Sequence, residues 1–218
     1  MNQDMESKLM KITLVGGTGQ AGQRILRELL DRGHSVTAVV RDAAKVAARE
    51  GLKVVQGDVT DEASIVAASK GADALVSAYG PGPEHAELLV PATKHLLAAA
   101  KASGVPRFLY VGGAGALEVA PGVTLIASGH LPAEWVPIAH AHADALELAR
   151  KSDVNWTSLA PSALFEAGER TGKFRLAKDS LISDENQQSR ISLEDYAVAL
   201  VDELEKPQHE RQRFTVGY

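Results

Sequence analysis

The chain is 218 residues long, and its composition already excludes several classes of protein. Hydrophobic residues make up 45% of it and charged residues 23%, as in a globular domain with a full core. The net charge of −5 and the aromatic content of 5% argue against nucleic acid as a partner. Because the chain has no cysteine, disulfides, zinc-thiolate sites and a cysteine nucleophile are excluded.

The first residues and the apolar segments bear on where the protein acts. No apolar run reaches the ~18 residues that a membrane span requires. Residues 1–8 are polar and lack the apolar stretch of a signal peptide. We therefore expect a soluble, cytoplasmic protein without a membrane partner. Residues 1–10 are predicted to form a flexible segment and residues 11–218 a single domain.

Short apolar segments alternate with helical patterns in the first half of the chain. The predicted strands are, in chain order, Lys11–Val15, Ser35–Val40, Leu52–Gln56, Ala74–Ser77 and Phe108–Val111. A helix ending at Gly33 follows the first strand, and further helices are predicted around residues 42–50, 61–69 and 86–102. Pro91 should begin or kink the last of these. The alternation predicts an α/β fold, a doubly wound parallel sheet of the Rossmann type.

Beyond residue 111 the alternation weakens. Residues 112–137 are rich in glycine and proline, a helix is predicted over about 138–151, and a strand over 155–159. Residues 162–190 show little periodicity. Ser192 begins a final helix with a pattern like a capping box, and a last strand is predicted at 214–216. We expect residues 162–218 to form a small substrate-binding or lid subregion of the same domain.

A glycine-rich segment joins the first strand to the first helix. Gly17, Gly19 and Gly22 match the pattern G-x-G-x-x-G, in which they permit a tight turn, a close approach to a pyrophosphate, and helix packing. The helix N-terminus offers free N–H groups to the phosphates. The sequence therefore predicts a dinucleotide site, rather than only a structural turn. Its loop is predicted to comprise Gly16, Gly17, Thr18, Gly19, Gln20, Ala21 and Gly22.

The end of the second strand indicates which dinucleotide binds. An acidic residue about twenty positions after the glycines would bind the ribose 2′-hydroxyl of NAD. Here the strand ends at Arg41, whose guanidinium can pair with the 2′-phosphate of NADP. Asp42 follows and can contact a ribose hydroxyl. We predict NADP as the cofactor, with NAD as the alternative.

These motifs resemble a known family. The segments Val15–Gly22, Val40–Asp42 and Gln56–Val59 are similar to those of NAD(P)H-binding, atypical short-chain dehydrogenase/reductases. Within that family, the chain resembles the flavin/biliverdin-IXβ reductases and the proteins proposed to be NADH-flavin reductases. The C-terminal stretches 192–197 and 214–218 resemble the latter. The similarity extends from about residue 10 to the end.

The resemblance implies further cofactor contacts. Asp58 and Val59 would lie at the adenine. Two strand ends would line the route to the nicotinamide, and Pro161 would close its far side. The residues implied on that route are Ala78, Tyr79, Gly80, Val111, Gly112 and Gly113.

The acid used by most short-chain dehydrogenases is missing. Those enzymes protonate the forming alkoxide with the tyrosine of a Tyr-x-x-x-Lys pair. None of the four tyrosines here has a lysine four residues later, and the loop after the fifth strand lacks the usual serine. Ordinary alcohol–ketone chemistry is therefore not expected. Hydride transfer to a flavin needs stacking and water exclusion but no such donor.

Two residues of the helix over 138–151 are the candidate catalytic groups. His140 and Asp144 are four residues apart and would share one helix face, whereas His142 would point elsewhere. His140 held by Asp144 could donate a proton near pH 7, although a solvated or packing histidine is the simpler interpretation. No metal site is predicted, because helical spacing separates the imidazoles.

The function predicted from these observations is NADP(H)-dependent reduction of a flavin or a similar conjugated planar acceptor. The expected partner is a small-molecule substrate, with neither nucleic acid nor a membrane as a partner. Two alternatives remain: a non-enzymatic NADP(H) redox sensor, and an epimerase- or dehydratase-like member of the same superfamily. The missing acid is compatible with a sensor, while the short C-terminal region disfavours the epimerase.

Overall fold

The computed structural model describes residues 9–218, so most of the flexible segment predicted over residues 1–10 lies outside the described residues. The helices are α1 (Gln20–Asp31), α2 (Glu62–Ser69), α3 (Leu89–Ser103), α4 (Val136–Lys151) and α5 (Leu193–Glu205). The first seven strands are β1 (Lys11–Val15), β2 (Ser35–Val40), β3 (Leu52–Gln56), β4 (Ala74–Ser77), β5 (Phe108–Val111), β6 (Glu118–Ala120) and β7 (Val123–Thr124). The remaining strands are β8 (Trp156–Ala160), β9 (Leu164–Glu166), β10 (Arg175–Ala177), β11 (Arg190–Ser192) and β12 (Gln212–Gly217).

The central sheet has the strand order β10-β12-β8-β5-β4-β1-β2-β3. All its neighbouring pairs are parallel except β10–β12, which is antiparallel. The predicted doubly wound Rossmann fold is confirmed. The parallel order places the carboxyl ends of β1, β2, β4 and β5 along one edge, where ligands bind in such sheets.

Helices cover both faces of the sheet. On one face Ile25 and Leu29 of α1 pack with Tyr196 and Leu200 of α5. On the other face α2, α3 and α4 form a second core, which includes the fully buried Ile65. The strands are apolar on both sides because both sides are covered. The C-terminal α5 and β12 therefore belong to the central layers of the fold.

The prediction of a helix around residues 42–50 is wrong. The segment contains only a 3₁₀ turn at Ala43–Lys45, where the Asp42 carboxylate accepts the Ala44 N–H at 3.1 Å. Val46 is then extended. The alanines favour a helix, but Val46 is the only large apolar residue among them. A short helix without a face to bury is not stable.

The structure also defines the start of α3 and the bounds of β8. Pro91 is the third residue of α3, so it begins the regular helix after the 3₁₀ turn at Pro83–Leu88 and does not kink it. The strand predicted over 155–159 is shifted by one residue, to Trp156–Ala160. None of the helices within residues 9–218 is both long and apolar enough to cross a membrane.

Candidate functional site

The glycine loop between β1 and α1 contacts the end of β4. Gly16 has a φ of +80°, which residues with a side chain rarely adopt. The tight turn therefore depends on Gly16, whereas the sequence predicted this role for Gly17. A Cβ on Gly16 would come within 2.7 Å of the Ala78 carbonyl carbon and the Tyr79 nitrogen. The loop backbone therefore lies directly against the strand end predicted to lead to the nicotinamide.

Gly22 and Gly19 have different roles. A Cβ on Gly22 would lie 2.0 Å from the Gly16 carbonyl oxygen, so the close packing of α1 on the loop requires glycine. Gly19 has an ordinary φ of −72°, and a Cβ there would meet only the Gly16 oxygen at 3.5 Å. The protein itself does not require glycine at Gly19. The open space above it fits a ligand that approaches the backbone.

The N-terminus of α1 has donors that the protein does not use. Gly19 is its N-cap and supplies no side-chain cap, and the first turn contains no acidic residue. Within residues 9–218, no hydrogen bond from the N–H groups of Gln20, Ala21 or Gly22 is found. Thr18, Gly19 and Gln20 are exposed. These donors and the helix dipole form an anion site that fits a pyrophosphate.

The strand ends on either side of the glycine loop border the predicted dinucleotide cleft, and the ends of β2 and β3 form the side predicted to hold the adenine. Arg41 is exposed, and Asp42 caps the 3₁₀ turn beside it. Hydrogen bonds from the Thr60 hydroxyl and N–H lower the pKa of the Asp58 carboxyl, and the charge of Arg41 lowers it further. Burial, and then the charge of Asp58, raise the pKa of Tyr79. Arg41, Asp58 and Tyr79 thus lie close enough to influence one another.

The end of β5 forms the opposite wall. A Cβ on Gly112 would come within 2.6 Å of the Ser158 hydroxyl oxygen, and a Cβ on Gly113 within 2.7 Å of the His142 side chain. The two glycines therefore let the loop lie flat against β8 and α4. Burial lowers the pKa of His142 to about 4, so its imidazole is neutral at pH 7.

The predicted pairing of His140 with Asp144 is not found, and this expectation is corrected. Both side chains are exposed, and no hydrogen bond or ion pair joins them among the described residues. They share a helix face, as predicted, but it is the face turned to solvent. Ile138 and Ala145 are buried instead.

The residue on α4 that does face the site is His142, which the sequence interpretation placed elsewhere. It lies four residues after Ile138 and three before Ala145, so it shares their buried face. The apolar spacing of α4 therefore contained a signal that could have identified it. Pro161, predicted to close the nicotinamide site, is buried after β8, and Val59 is buried after β3.

A loop after β9, residues 167–173, is held by carboxylates on α1 and α5. Arg170 donates two hydrogen bonds of 2.8 Å to the buried Glu28 of α1. Asp195 of α5 is fully buried and accepts the N–H groups of Thr171 at 2.8 Å and Gly172 at 2.7 Å. This loop, one part of the predicted subregion 162–218, is thus fastened to α1 and α5. The described residues contain no cluster of three or more His, Asp or Glu arranged to hold a metal ion.

The profile of a protein family matches most of the chain. It covers residues 16–207 and is the family described as NAD(P)H-binding. The chain belongs to the NAD(P)H-binding family. The match includes the glycine loop, both walls of the cleft and α5. The predicted membership of NAD(P)H-binding Rossmann proteins is therefore confirmed.

Individual proteins resemble the chain over nearly its whole length. The uncharacterized protein YwnB of Bacillus subtilis is 40% identical over 95% of this chain and 98% of its own. The structure of a proposed epimerase from Bacteroides thetaiotaomicron is 41% identical, with a TM-score of 0.91 over 97% of this chain and 98% of that one. The structure of a proposed NADH-flavin reductase from Streptococcus pneumoniae is 34% identical, with a TM-score of 0.84 over 95% and 99%.

Proposed function

We propose that the protein is an NADP(H)-dependent reductase that transfers hydride to a flavin or a similar conjugated planar acceptor. The observation that carries this proposal is an uncapped helix N-terminus suited to a pyrophosphate, next to strand ends whose described tyrosines and histidine are poor acids near pH 7. The similarity to a proposed NADH-flavin reductase supports the choice of acceptor. The bound cofactor would supply the hydride, and the protein would supply binding, orientation and exclusion of water.

The tyrosines and the histidine in and behind the walls of the cleft are poor acids near pH 7. The pKa of Tyr79 is raised, and burial raises that of Tyr110 to about 12. In the described part of the chain, no lysine contributes to lowering either value. His142 is neutral because its pKa is about 4. A carbonyl substrate needs a donor for the developing alkoxide, whereas a flavin does not.

NADP is favoured over NAD by the charge at the end of β2. Arg41 is exposed beside the cleft and carries the positive charge that a 2′-phosphate requires. The neighbouring Asp42 already uses its carboxylate to accept the Ala44 N–H. The preference for NADP therefore rests on the charge of Arg41.

A screen of acceptors tests the proposal. Oxidation of NADPH would be followed at saturating cofactor with FMN, quinones and aldehydes, beside the Gly19→Ala variant as a control without a phosphate site. We expect turnover with FMN, slower turnover with quinones and none with aldehydes. Faster reduction of aldehydes than of FMN would overturn the proposal. Tight NADPH binding without turnover of any acceptor would instead identify a redox sensor.

A further inference from the structure

A small cavity lies behind the wall of the cleft, between β4, β5, α3 and α4. The space open to the centre of a water molecule is about 10 Å³. This is close to the minimum that one water requires. Its polar lining comprises Ser77, Tyr79, Thr93, Tyr110 and His142, and the remaining lining is apolar.

One of the lining residues, Tyr110, has a buried hydroxyl without a protein partner among the described residues. The residue is only 6% exposed. Its hydroxyl lies near Ser158 across the β5–β8 pair, but it makes no hydrogen bond of acceptable geometry within residues 9–218. A buried hydroxyl without a partner is costly, and most such groups in proteins bind an ordered water.

Other groups around the cavity can complete the hydrogen bonds of a water. The Ser77 hydroxyl oxygen already accepts the Tyr79 N–H at 3.3 Å and retains its own proton to donate. Thr93 donates to the Leu89 carbonyl at 2.9 Å and retains a free lone pair. A neutral His142 offers one N–H and one acceptor nitrogen. A water therefore has the two to four polar partners that a buried site needs.

We propose that this cavity binds a single water molecule that joins Tyr110 to Ser77 and His142. Since His142 lies against Gly113, the water would also fix the position of the wall that faces the nicotinamide. Tyr110 is then a positioning residue, which acts through the water and not by contact with a substrate. This role rests on the proposed reductase function, whereas the water site itself does not.

The matched variants are Tyr110→Phe and Tyr196→Phe. Tyr196 is also fully buried, but its hydroxyl donates directly to the Leu159 carbonyl at 2.7 Å on the other face of the sheet. NMR of the imidazole nitrogens, with the His142 signals assigned by a His142→Gln variant, reports on the cluster without any activity. We expect Tyr110→Phe to shift the His142 signals and Tyr196→Phe to leave them unchanged. Unchanged His142 signals in both variants would overturn the proposal.

Melting temperature gives a second readout. Tyr110→Phe should lower it by a few degrees, because the water loses a partner. If the hydroxyl is unsatisfied and the cavity dry, the same substitution removes a buried orphan and raises the melting temperature, which contradicts the proposal. A crystal structure of the wild type should show the water within hydrogen-bonding distance of the Tyr110 oxygen.

Kinetics test the positioning role. Tyr110→Phe is expected to lower kcat for FMN reduction roughly threefold to tenfold, as for the loss of one hydrogen bond, with KM for NADPH unchanged. Tyr196→Phe should leave kcat unchanged. A kcat of Tyr110→Phe equal to that of the wild type would contradict the positioning role. Failure of the wild type to oxidise NADPH would refute the reductase function, while NMR and melting temperature still decide the water site.

Discussion

The N-terminus of α5 is capped by side chains and that of α1 is not, although both helices cover the same face of the sheet. In α5 the Ser192 hydroxyl caps the Asp195 N–H at 2.9 Å, and Glu194 and Asp195 fill the first turn. Their carboxylates accept the N–H groups of a neighbouring loop, including that of Gly168 at 2.8 Å. In α1 neither a side-chain cap nor an acidic residue is present in the first turn.

The difference shows where a ligand can bind. A helix N-terminus that protein carboxylates already neutralise has little attraction for another anion. The N-terminus of α1 has the same dipole but unused N–H groups, and an exposed glycine lies over them. Side chains of the protein therefore neutralise the N-terminus of α5, while the N–H groups at the N-terminus of α1 can bind a phosphate. Substitutions at the two helix ends test this contrast.

Gly19→Ala is expected to abolish most NADPH binding without unfolding the protein. The added methyl meets only the Gly16 oxygen at 3.5 Å, but it fills the space above the N–H groups. Loss of two charge-assisted hydrogen bonds corresponds to about 3–6 kcal/mol, or more than a hundredfold in Kd. Calorimetric titration measures the loss. Gly22→Ala is the contrasting variant, because its methyl would clash with the backbone and destabilise the fold.

Asp195→Ala is expected to destabilise the fold and spare the cofactor site. Two loop N–H groups and the Tyr218 hydroxyl, which donates to Asp195 at 2.8 Å, would lose their acceptor. Their loss costs about 2–4 kcal/mol in the free energy of unfolding, measured with urea. Asp195→Asn, which keeps one acceptor oxygen, should cost less. A tenfold loss of NADPH affinity in folded Asp195→Ala would contradict the assignment of a structural role to the N-terminus of α5 and a binding role to that of α1.

Arg41→Ala is expected to weaken NADPH binding selectively. Loss of a charge-assisted contact costs about 1.5–3 kcal/mol, or roughly 10- to 150-fold, while NADH lacks the phosphate and should lose little. Arg49→Ala is the matched control, since Arg49 is exposed in the same connection and pairs with Asp31. Equal losses for the two cofactors would assign the selectivity to another residue.

His142 makes the cleft side sensitive to acid. Its folded pKa of about 4 lies below the unfolded value of 6.5, so the unfolded chain binds more protons between these values. Stability therefore rises with pH across this range and is constant above it. When the pH falls from about 7 to about 5, the free energy of unfolding of the wild type should decrease by about 2 kcal/mol more than that of His142→Gln. Equal losses in urea titrations at both pH values would show that His142 does not titrate as described.

The sequence predicted local features well and long-range contacts poorly. The strands and the glycine loop follow from short segments whose pattern already defines their structure. The helix at 42–50 failed because alanine propensity cannot replace a buried face. The bonds between Arg170 and Glu28 join residues 142 positions apart, and no local pattern indicates them. The spacing to Asp144 favours His140, whereas the apolar positions of α4, Ile138 and Ala145, indicate His142.

We infer that hydride passes to a flavin without the help of a titrating side chain. The most direct measurement is kcat for FMN reduction by NADPH between about pH 6 and about pH 8, in the wild type and in His140→Ala. We predict a flat profile in both, because His142 stays neutral and the raised pKa values of Tyr79 and Tyr110 keep them protonated. A sigmoidal profile near pH 6.5 in the wild type, with a loss of about a hundredfold in His140→Ala, would contradict the claim and identify a histidine-assisted reductase.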